Sequence, residues 1–404
     1  MRILLLDGNE NQAVACVRSL ARAGHEVHVG ADRAWSKAGW SRAAHAVFAY
    51  PSPRADAGAF VRELAGRAAG HSGTMVLPLT ESSTLPISER RDVLLAAGAR
   101  LALPAHAVVL EAFDKDTTRR IAERAGVCTP RSALASSLAE AERAAQSIGF
   151  PLVLKPASSE QVGTGGTTRA AGAPRYAASA GALASAFADM HARAARILLQ
   201  EYVQGAGTGY FALMRHGALR AEFAHERIRD VRPTGSGSAV RRSIAVDPDV
   251  RAASLRILEA LEWHGVAMVE FRRRPDGTPV FLEVNGRFWN SLPLAVHAGM
   301  DFPALLAHLV EHGDVPEHLE YRTGVVCRWL LGDVRHLAAV MAGAPADFPG
   351  EFPKRLPTLA SVLRPVRGMR HDLFAWDDPL PAIGDWIHFL FRRVPAALRG
   401  SEAA

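Results

Sequence analysis

Residues 266–293 read VAMVEFRRRPDGTPVFLEVNGRFWNSLP, and this stretch organises the rest of the chain. Val266 to Arg273 is rich in β-branched and apolar residues, and Pro279 to Val284 resumes the same pattern. Between them, Pro275-Asp276-Gly277-Thr278 is a turn signal, with Asp-Gly suited to the positive φ of a hairpin. A hairpin tipped on Asp276-Gly277 without a bulge sets Glu270 directly across from Glu283. Side chains alternate along a strand, so Asn285 and then Arg287 follow on the Glu283 face.

That face carries two opposed carboxylates, an amide oxygen and a guanidinium. Opposed like charges destabilise an exposed sheet by roughly 0.2–1 kcal/mol, so a compensating partner is expected. Mg²⁺ takes hard oxygen ligands and commonly uses one or two carboxylates together with phosphate oxygens. The metal set read here is Glu270, Glu283 and Asn285, with Arg287 placed to meet a phosphate or acyl phosphate. The plainer alternative is a solvated face on which Arg272 pairs with a glutamate.

Upstream features favour the metal. Pro151-Leu-Val-Leu-Lys155-Pro156 is an apolar strand that delivers one lysine, and a lysine at the end of a buried strand calls for an anion. The segment after it holds Gly163, Gly165, Gly166 and Thr167, whose backbone N–H groups suit phosphate oxygens. No lysine follows these glycines, so this is not a Walker A loop.

Glu270, then Glu283-Val-Asn285-Gly-Arg287, resembles the metal-binding end of the ATP-grasp superfamily. It is most similar to the branch of carbamoyl-phosphate synthetase and biotin carboxylase, over residue 1 to about 312. The resemblance implies ATP with one or two Mg²⁺ (Mn²⁺ as a substitute) and an α/β fold, α+β in the catalytic part. An N-terminal Rossmann-like domain would precede the ATP-grasp fold. It implies that Lys115, in Phe113-Asp114-Lys115, and Lys155 contact the phosphates, and that the glycine segment closes over them. The adenine hinge would be the strand end Gln200, Glu201, Tyr202 and Val203. Relatives often carry a ribose-contacting acid just beyond; Ala206 to Tyr210 has none, so no such residue is assigned. Arg287 and Lys155 would be catalytic. The acceptor side would draw on Arg227, Arg229, Ser236, Ser238 and Asn290, with a solvated basic loop as the alternative. His225 is an acid–base candidate whose plainer reading is structural.

The expected divisions are 1–112 (Rossmann-like), 113–196 (small subdomain with the Lys155 strand and glycine flap), 197–315 (catalytic subdomain) and 316–404 (C-terminal extension). In the first, Arg2 to Leu6, a helix from Asn11 and Glu26 to Val29 open a parallel βαβ sheet. Gly8 stands alone where a dinucleotide fingerprint needs three glycines. Thr80 and Glu81 follow a strand at its carboxyl end; they are candidates for substrate contact or a helix cap.

Composition sets outer limits. The 404 residues are 49% hydrophobic and 22% charged, ordinary for a globular chain of two or three domains. The net charge of +6 permits anionic substrates, and no dense basic run argues for nucleic acid. Cys16, Cys128 and Cys327 are widely spaced and read as free thiols in a reducing cytoplasm. The opening MRILLLDG is a buried strand rather than a secretory signal, and no stretch reaches the length of a spanning helix. Ile383 to Val394 is amphipathic with a basic end; docking on its own domain is favoured over a membrane surface or a partner.

The function expected from the resemblance is an ATP-dependent carboxylate–amine ligase that works through an acyl phosphate and releases ADP and phosphate. Its partners would be a small carboxylate and an amine, and a homodimer is allowed. The alternatives are a carbamoyl-phosphate-synthetase-like or carboxylase-type enzyme, or a non-catalytic ATP-binding regulator.

Overall fold

The computed structural model describes residues 1–33, 35–162, 168–345, 347–364 and 366–398. The expected glycine-flap residues Gly163, Gly165, Gly166 and Thr167 lie outside them. The N-terminal sheet is parallel. Its order is Ala46–Ala49, Glu26–Ala31, Arg2–Leu5, Met75–Leu77, with helix Asn11–Arg22 crossing between the first two strands of the chain. Each inward residue of Arg2–Leu5 is fully buried, as a run of β-branched and leucine residues without alternation requires.

A second sheet orders Ser132–Ala135, Ile197–Glu201, Leu152–Pro156 and Arg175–Ala177. Ile197–Glu201 lies at its centre, antiparallel to both Ser132–Ala135 and Leu152–Pro156. The expected boundary at 196/197 therefore cuts through this sheet: the apolar strand finds its partners upstream, not downstream.

The large sheet has seven strands, in the order Pro279–Asn285, Gly265–Arg273, Ala206–Arg215, Ala218–Arg232, Ser236–Ile244, Val326–Arg328, Arg370–His371. Its last two strands come from the stretch expected to be an extension. The stretch 316–398 thus contributes two strands to the large sheet. Of the residues expected on the acceptor side, Arg227, Arg229, Ser236 and Ser238 lie on the paired strands Ala218–Arg232 and Ser236–Ile244, irregular around Arg229, rather than on a solvated loop. One hydrophobic core joins the N-terminal sheet to the large one, through Val14 and Leu77 on one side and Phe211, Trp289 and Phe302 on the other.

The opening hairpin forms with a different turn. Gly277 N–H donates to the Arg274 carbonyl (2.9 Å) and Arg274 N–H to the Thr278 carbonyl (2.9 Å). The loop is therefore Pro275-Asp276-Gly277, with Gly277 at φ 89°. This longer turn alone would offset the register by one. An irregularity between Glu270 and Phe271 leaves Leu282 unpaired and restores it, so Glu270 does face Glu283, and Met268 faces Asn285.

Candidate functional site

A cavity of about 260 Å³ opens between the second sheet and the large sheet. Lys115, Lys155, Gln200, Glu201, Tyr202, Val203, Glu270 and Glu283 all line it, although they come from four separate segments of chain.

Each charged group has a local reason for its position. Asp114 caps helix Lys115–Arg124 by accepting from Thr117 N–H (2.8 Å), which sets Lys115 at the first turn. Lys115 Nζ donates to Ser159 Oγ (3.0 Å) and lies 3.8 Å from Glu283 Oε2. Lys155 is carried in by the strand Leu152–Pro156 and donates to Gln200 Oε1 (2.9 Å); Gln200 in turn donates to Ser132 Oγ (3.2 Å). The side chain of Gln200 therefore positions the lysine.

On the hairpin, Arg227 Nη2 holds Glu270 at 2.9 Å. Asn285 donates to Glu283 (3.4 Å) and accepts from Arg287 (3.3 Å). Arg287 also lies 3.7 Å from Glu81, so the N-terminal sheet reaches the site through the helix that Thr80 caps. Thr80 thus takes the plain role of helix cap, and Glu81 meets Arg287. Gly286, between Asn285 and Arg287, is fixed by packing: a Cβ there would sit 2.3 Å from the buried Trp263 ring.

The electrostatics favour a polyanion. Four cations, Lys115, Lys155, Arg227 and Arg272, line the cavity against Glu270 and Glu283; the third carboxylate, Glu201, is paired with Arg131 (2.8 Å) and Arg274 (2.6 Å). Burial pushes the Lys155 ammonium below the ordinary lysine range, and Glu283 opposes this. Burial acts to raise the Glu283 carboxyl, but Lys115 and Lys155, with Asn285 and Arg287, outweigh it and hold it below the usual value. Glu270, Glu283 and Asn285 together offer hard oxygen donors, at least one of them firmly ionised. This donor set suits a magnesium-type cation better than a soft metal.

At the other end of the cavity Tyr176 and Tyr202 meet edge to face, with ring centroids 6.1 Å apart, and Phe348 packs on both (5.2 and 6.1 Å). Gly350 lies so close that a Cβ would stand 2.3 Å from Tyr202 Oη. Arg272 sits 5.9 Å from the Tyr202 ring and donates to the Val203 and Gly205 carbonyls (3.4 and 3.2 Å), not to a glutamate. At the hinge, Glu201 N–H and Tyr202 N–H are bonded to the Arg131 and Pro151 carbonyls. Those two donors are thereby unavailable to a base edge, which narrows the expected hinge to Val203 and the carbonyls.

Tyr176, Arg272 and Phe348 were not legible as site residues, whereas Glu81 was a candidate whose partner Arg287 was not foreseen. Phe348 lies in a stretch without a motif, and Tyr176 and Arg272 gain their positions from partners far away in sequence.

The acceptor-side expectations separate. Arg227 joins the carboxylate cluster, where Asp230 is 3.7 Å away. Arg229 is bonded to Asp333 and to Ser361 (2.9 Å), outside the cavity. Ser238 is buried with no partner for its hydroxyl among the described residues, the Ser236 side chain is outside them, and Asn290 is exposed. His225 is fully buried against Phe211 (4.8 Å) beside Ser291 (3.3 Å). Burial, with Arg227 and Arg241 near, pushes its imidazole well below the ordinary value, so it stays neutral and structural.

The chain is similar to known proteins in part of its sequence and in its fold. Residues 193–332 match a family described as ATP-grasp in the biosynthetic pathway with Ter operon. The chain is 27% identical over 217 residues to a D-alanine–D-alanine ligase of Stutzerimonas stutzeri, a match covering 50% of this chain and 65% of that ligase. The biotin carboxylase domain of Hydrogenobacter thermophilus 2-oxoglutarate carboxylase superposes with a TM-score of 0.63 at 15% identity, covering 80% of this chain and 73% of that one. An L-amino acid ligase from Bacillus licheniformis superposes with a TM-score of 0.59 at 18% identity, covering 77% and 73%. Less than two thirds of the D-alanine–D-alanine ligase is spanned by this chain, and the two solved structures speak to the fold alone. Residues 193–332, which include the Glu270 and Glu283 hairpin, thus match an ATP-grasp family, and the chain shares its fold with these two solved structures.

Proposed function

We propose that this protein is an ATP-dependent ligase that joins a carboxylate to an amine through an acyl phosphate. The observation that carries the reading is the opposed pair Glu270 and Glu283 in one cavity with Lys115 and Lys155, with Asn285 hydrogen-bonded to Glu283. Likeness to two amino-acid ligases and to a biotin carboxylase domain bound to MgADP supports it.

In this reading Lys115 and Lys155 bind the ATP phosphates, and Tyr176, Tyr202 and Val203 flank the base. Glu270, Glu283 and Asn285 would hold Mg²⁺, which would supply charge neutralisation on the phosphates. Arg227 pairs with Glu270 and Lys115 lies beside Glu283, so both carboxylates are held in place by cations. A carboxylate oxygen of the substrate attacks the γ-phosphorus, the bond to the β-phosphate oxygen breaks, and ADP leaves. Arg287 steadies the negative charge on the transferring group. The amine nitrogen then attacks the acyl carbon, inorganic phosphate departs, and the amine proton passes to solvent or phosphate. Positioning does most of the work, so no protein nucleophile is required.

The test is Mg²⁺-dependent ADP release against pools of amino acids and small carboxylates, with hydroxylamine as the amine. ADP together with a hydroxamate is the expected result. Nucleotide binding with no ADP in any pool would count against the reading.

A further inference from the structure

Over residues 380–390 the C-terminal helix Leu380–Leu398 turns large apolar side chains to solvent and an acid inward. Asp385 is buried, bonded to Lys37 Nζ (2.7 Å) and to Trp329 Nε1 (2.7 Å). Gly384 lets the helix approach closely, since a Cβ there would be 3.2 Å from the side chain of Lys37. The opposite side presents Leu380, Ile383, Trp386 and Leu390, which are 50%, 50%, 37% and 56% exposed. Just before the helix, Trp376 is 91% exposed and stacks edge-on against Phe374 at 4.9 Å. A groove of about 400 Å³ lined by Leu331, Leu373 and Phe374 runs beside Ile383 and Trp386. A surface helix ordinarily buries its apolar stripe, and a contiguous exposed apolar patch marks a contact surface.

Charge identifies the occupant. Lys354, Arg355, Arg364, Arg367 and Arg370 are all exposed. Of the four aspartates between 354 and 390, Asp372, Asp378 and Asp385 are buried, and only Asp377 faces solvent. Along residues 354–390 three of the four aspartates are turned inward and these cations outward, in the same stretch of chain as the exposed Trp376. A second copy seated on this stretch by two-fold symmetry would set those cations against themselves. We propose that this face is a docking surface for an anionic lipid bilayer, with the helix lying in the headgroup plane. Among the described residues no single helix is long and apolar enough to cross a membrane, so the contact is peripheral. Neither the apolar stripe nor the cations suffice alone; together they give the two signals that stable attachment needs.

The full chain is to be floated with vesicles of phosphatidylcholine alone and of phosphatidylcholine with phosphatidylglycerol. Binding to the anionic vesicles, released by salt and accompanied by a blue shift of tryptophan emission, is expected. The double variant Trp376→Ser, Leu390→Ser should lose about tenfold or more in partitioning, and Arg364→Glu with Arg367→Glu should weaken it independently. Unchanged thermal melting of the variants shows that the fold is intact. No partitioning onto anionic vesicles, or partitioning that the apolar variant leaves unchanged, would overturn the proposal. So would a dimer in sedimentation velocity that the same variant dissociates. Ligase activity plays no part in the readout, so this proposal and the ligase reading fail separately.

Discussion

The hairpin Gly265–Asn285 and the C-terminal arm 316–398 belong to one sheet but use charge in opposite ways. The hairpin turns Glu270 and Glu283 toward an open cavity, where cations balance them and a ligand can displace those cations. The arm seals most of its aspartates inside. Arg241 is fully buried against Asp372 (2.6 Å), Cys327 donates to the same carboxylate (3.1 Å), and Asp333 is buried between Arg229 and Arg328. Arg18 and Asp378 add a further pair that ties the arm to the N-terminal helix. Charges that can change partners serve a site, whereas charges without access to water serve as fixed joints.

The sharpest way to break this comparison is to remove one carboxylate from each region. Asp372→Ala strands Arg241 without its partner and should cost about 3–5 kcal/mol in urea unfolding, with nucleotide affinity of the folded fraction unchanged. Glu283→Gln should leave unfolding nearly unaltered and reduce ADP release on the order of 10²–10³-fold. A hairpin variant that lost only stability, or an arm variant that lost only turnover, would erase the distinction.

Phe348 sits at the seam, an arm residue packed behind two cavity tyrosines. Phe348→Ala removes aromatic contacts of about 0.5–1.5 kcal/mol. The nucleotide KM should rise roughly two- to tenfold with kcat held. A fall in kcat at constant KM would mean the arm acts on chemistry rather than on nucleotide placement.

The smallest effect is a proton linkage. Burial keeps the Lys155 ammonium below its ordinary range, with Glu283 pulling it upward. A bound polyanion raises it again, so nucleotide binding takes up a proton between the free and bound values. Affinity therefore falls as pH rises through the free-state value, by less than about tenfold per pH unit. Calorimetry in alkaline buffers of different ionisation heat reads the uptake directly, and Lys155→Met should abolish it.

The outcome of the sequence reading follows the reach of the interactions. Glu270 facing Glu283 was legible from strand alternation and one turn, although the turn is a residue longer than expected and an irregularity at Leu282 restores the register. Lys155 was legible because a lone lysine ends an apolar strand. The partners of Arg227, Arg229 and Arg272 were not legible, since a guanidinium in a basic stretch finds its carboxylate or carbonyl only after the chain is folded. Arg227 went to the cavity and Arg229 to Asp333, two residues apart but separated by an irregular register.

What the sequence determined by itself, then, is the order of local units: a parallel opening sheet, a lysine strand, and a hairpin with two acids and an asparagine. Periodicity and turn chemistry act over a few residues and are written in the chain directly. Tertiary structure alone decided that residues 316–398 lend two strands to the large sheet, that Glu81 reaches Arg287, and that Phe348 backs the cavity. It also decided that the last helix turns its aspartate inward and its tryptophan outward. An amphipathic pattern specifies two faces, but which of them is buried depends on the surface it meets, and here that surface offers the buried ammonium of Lys37.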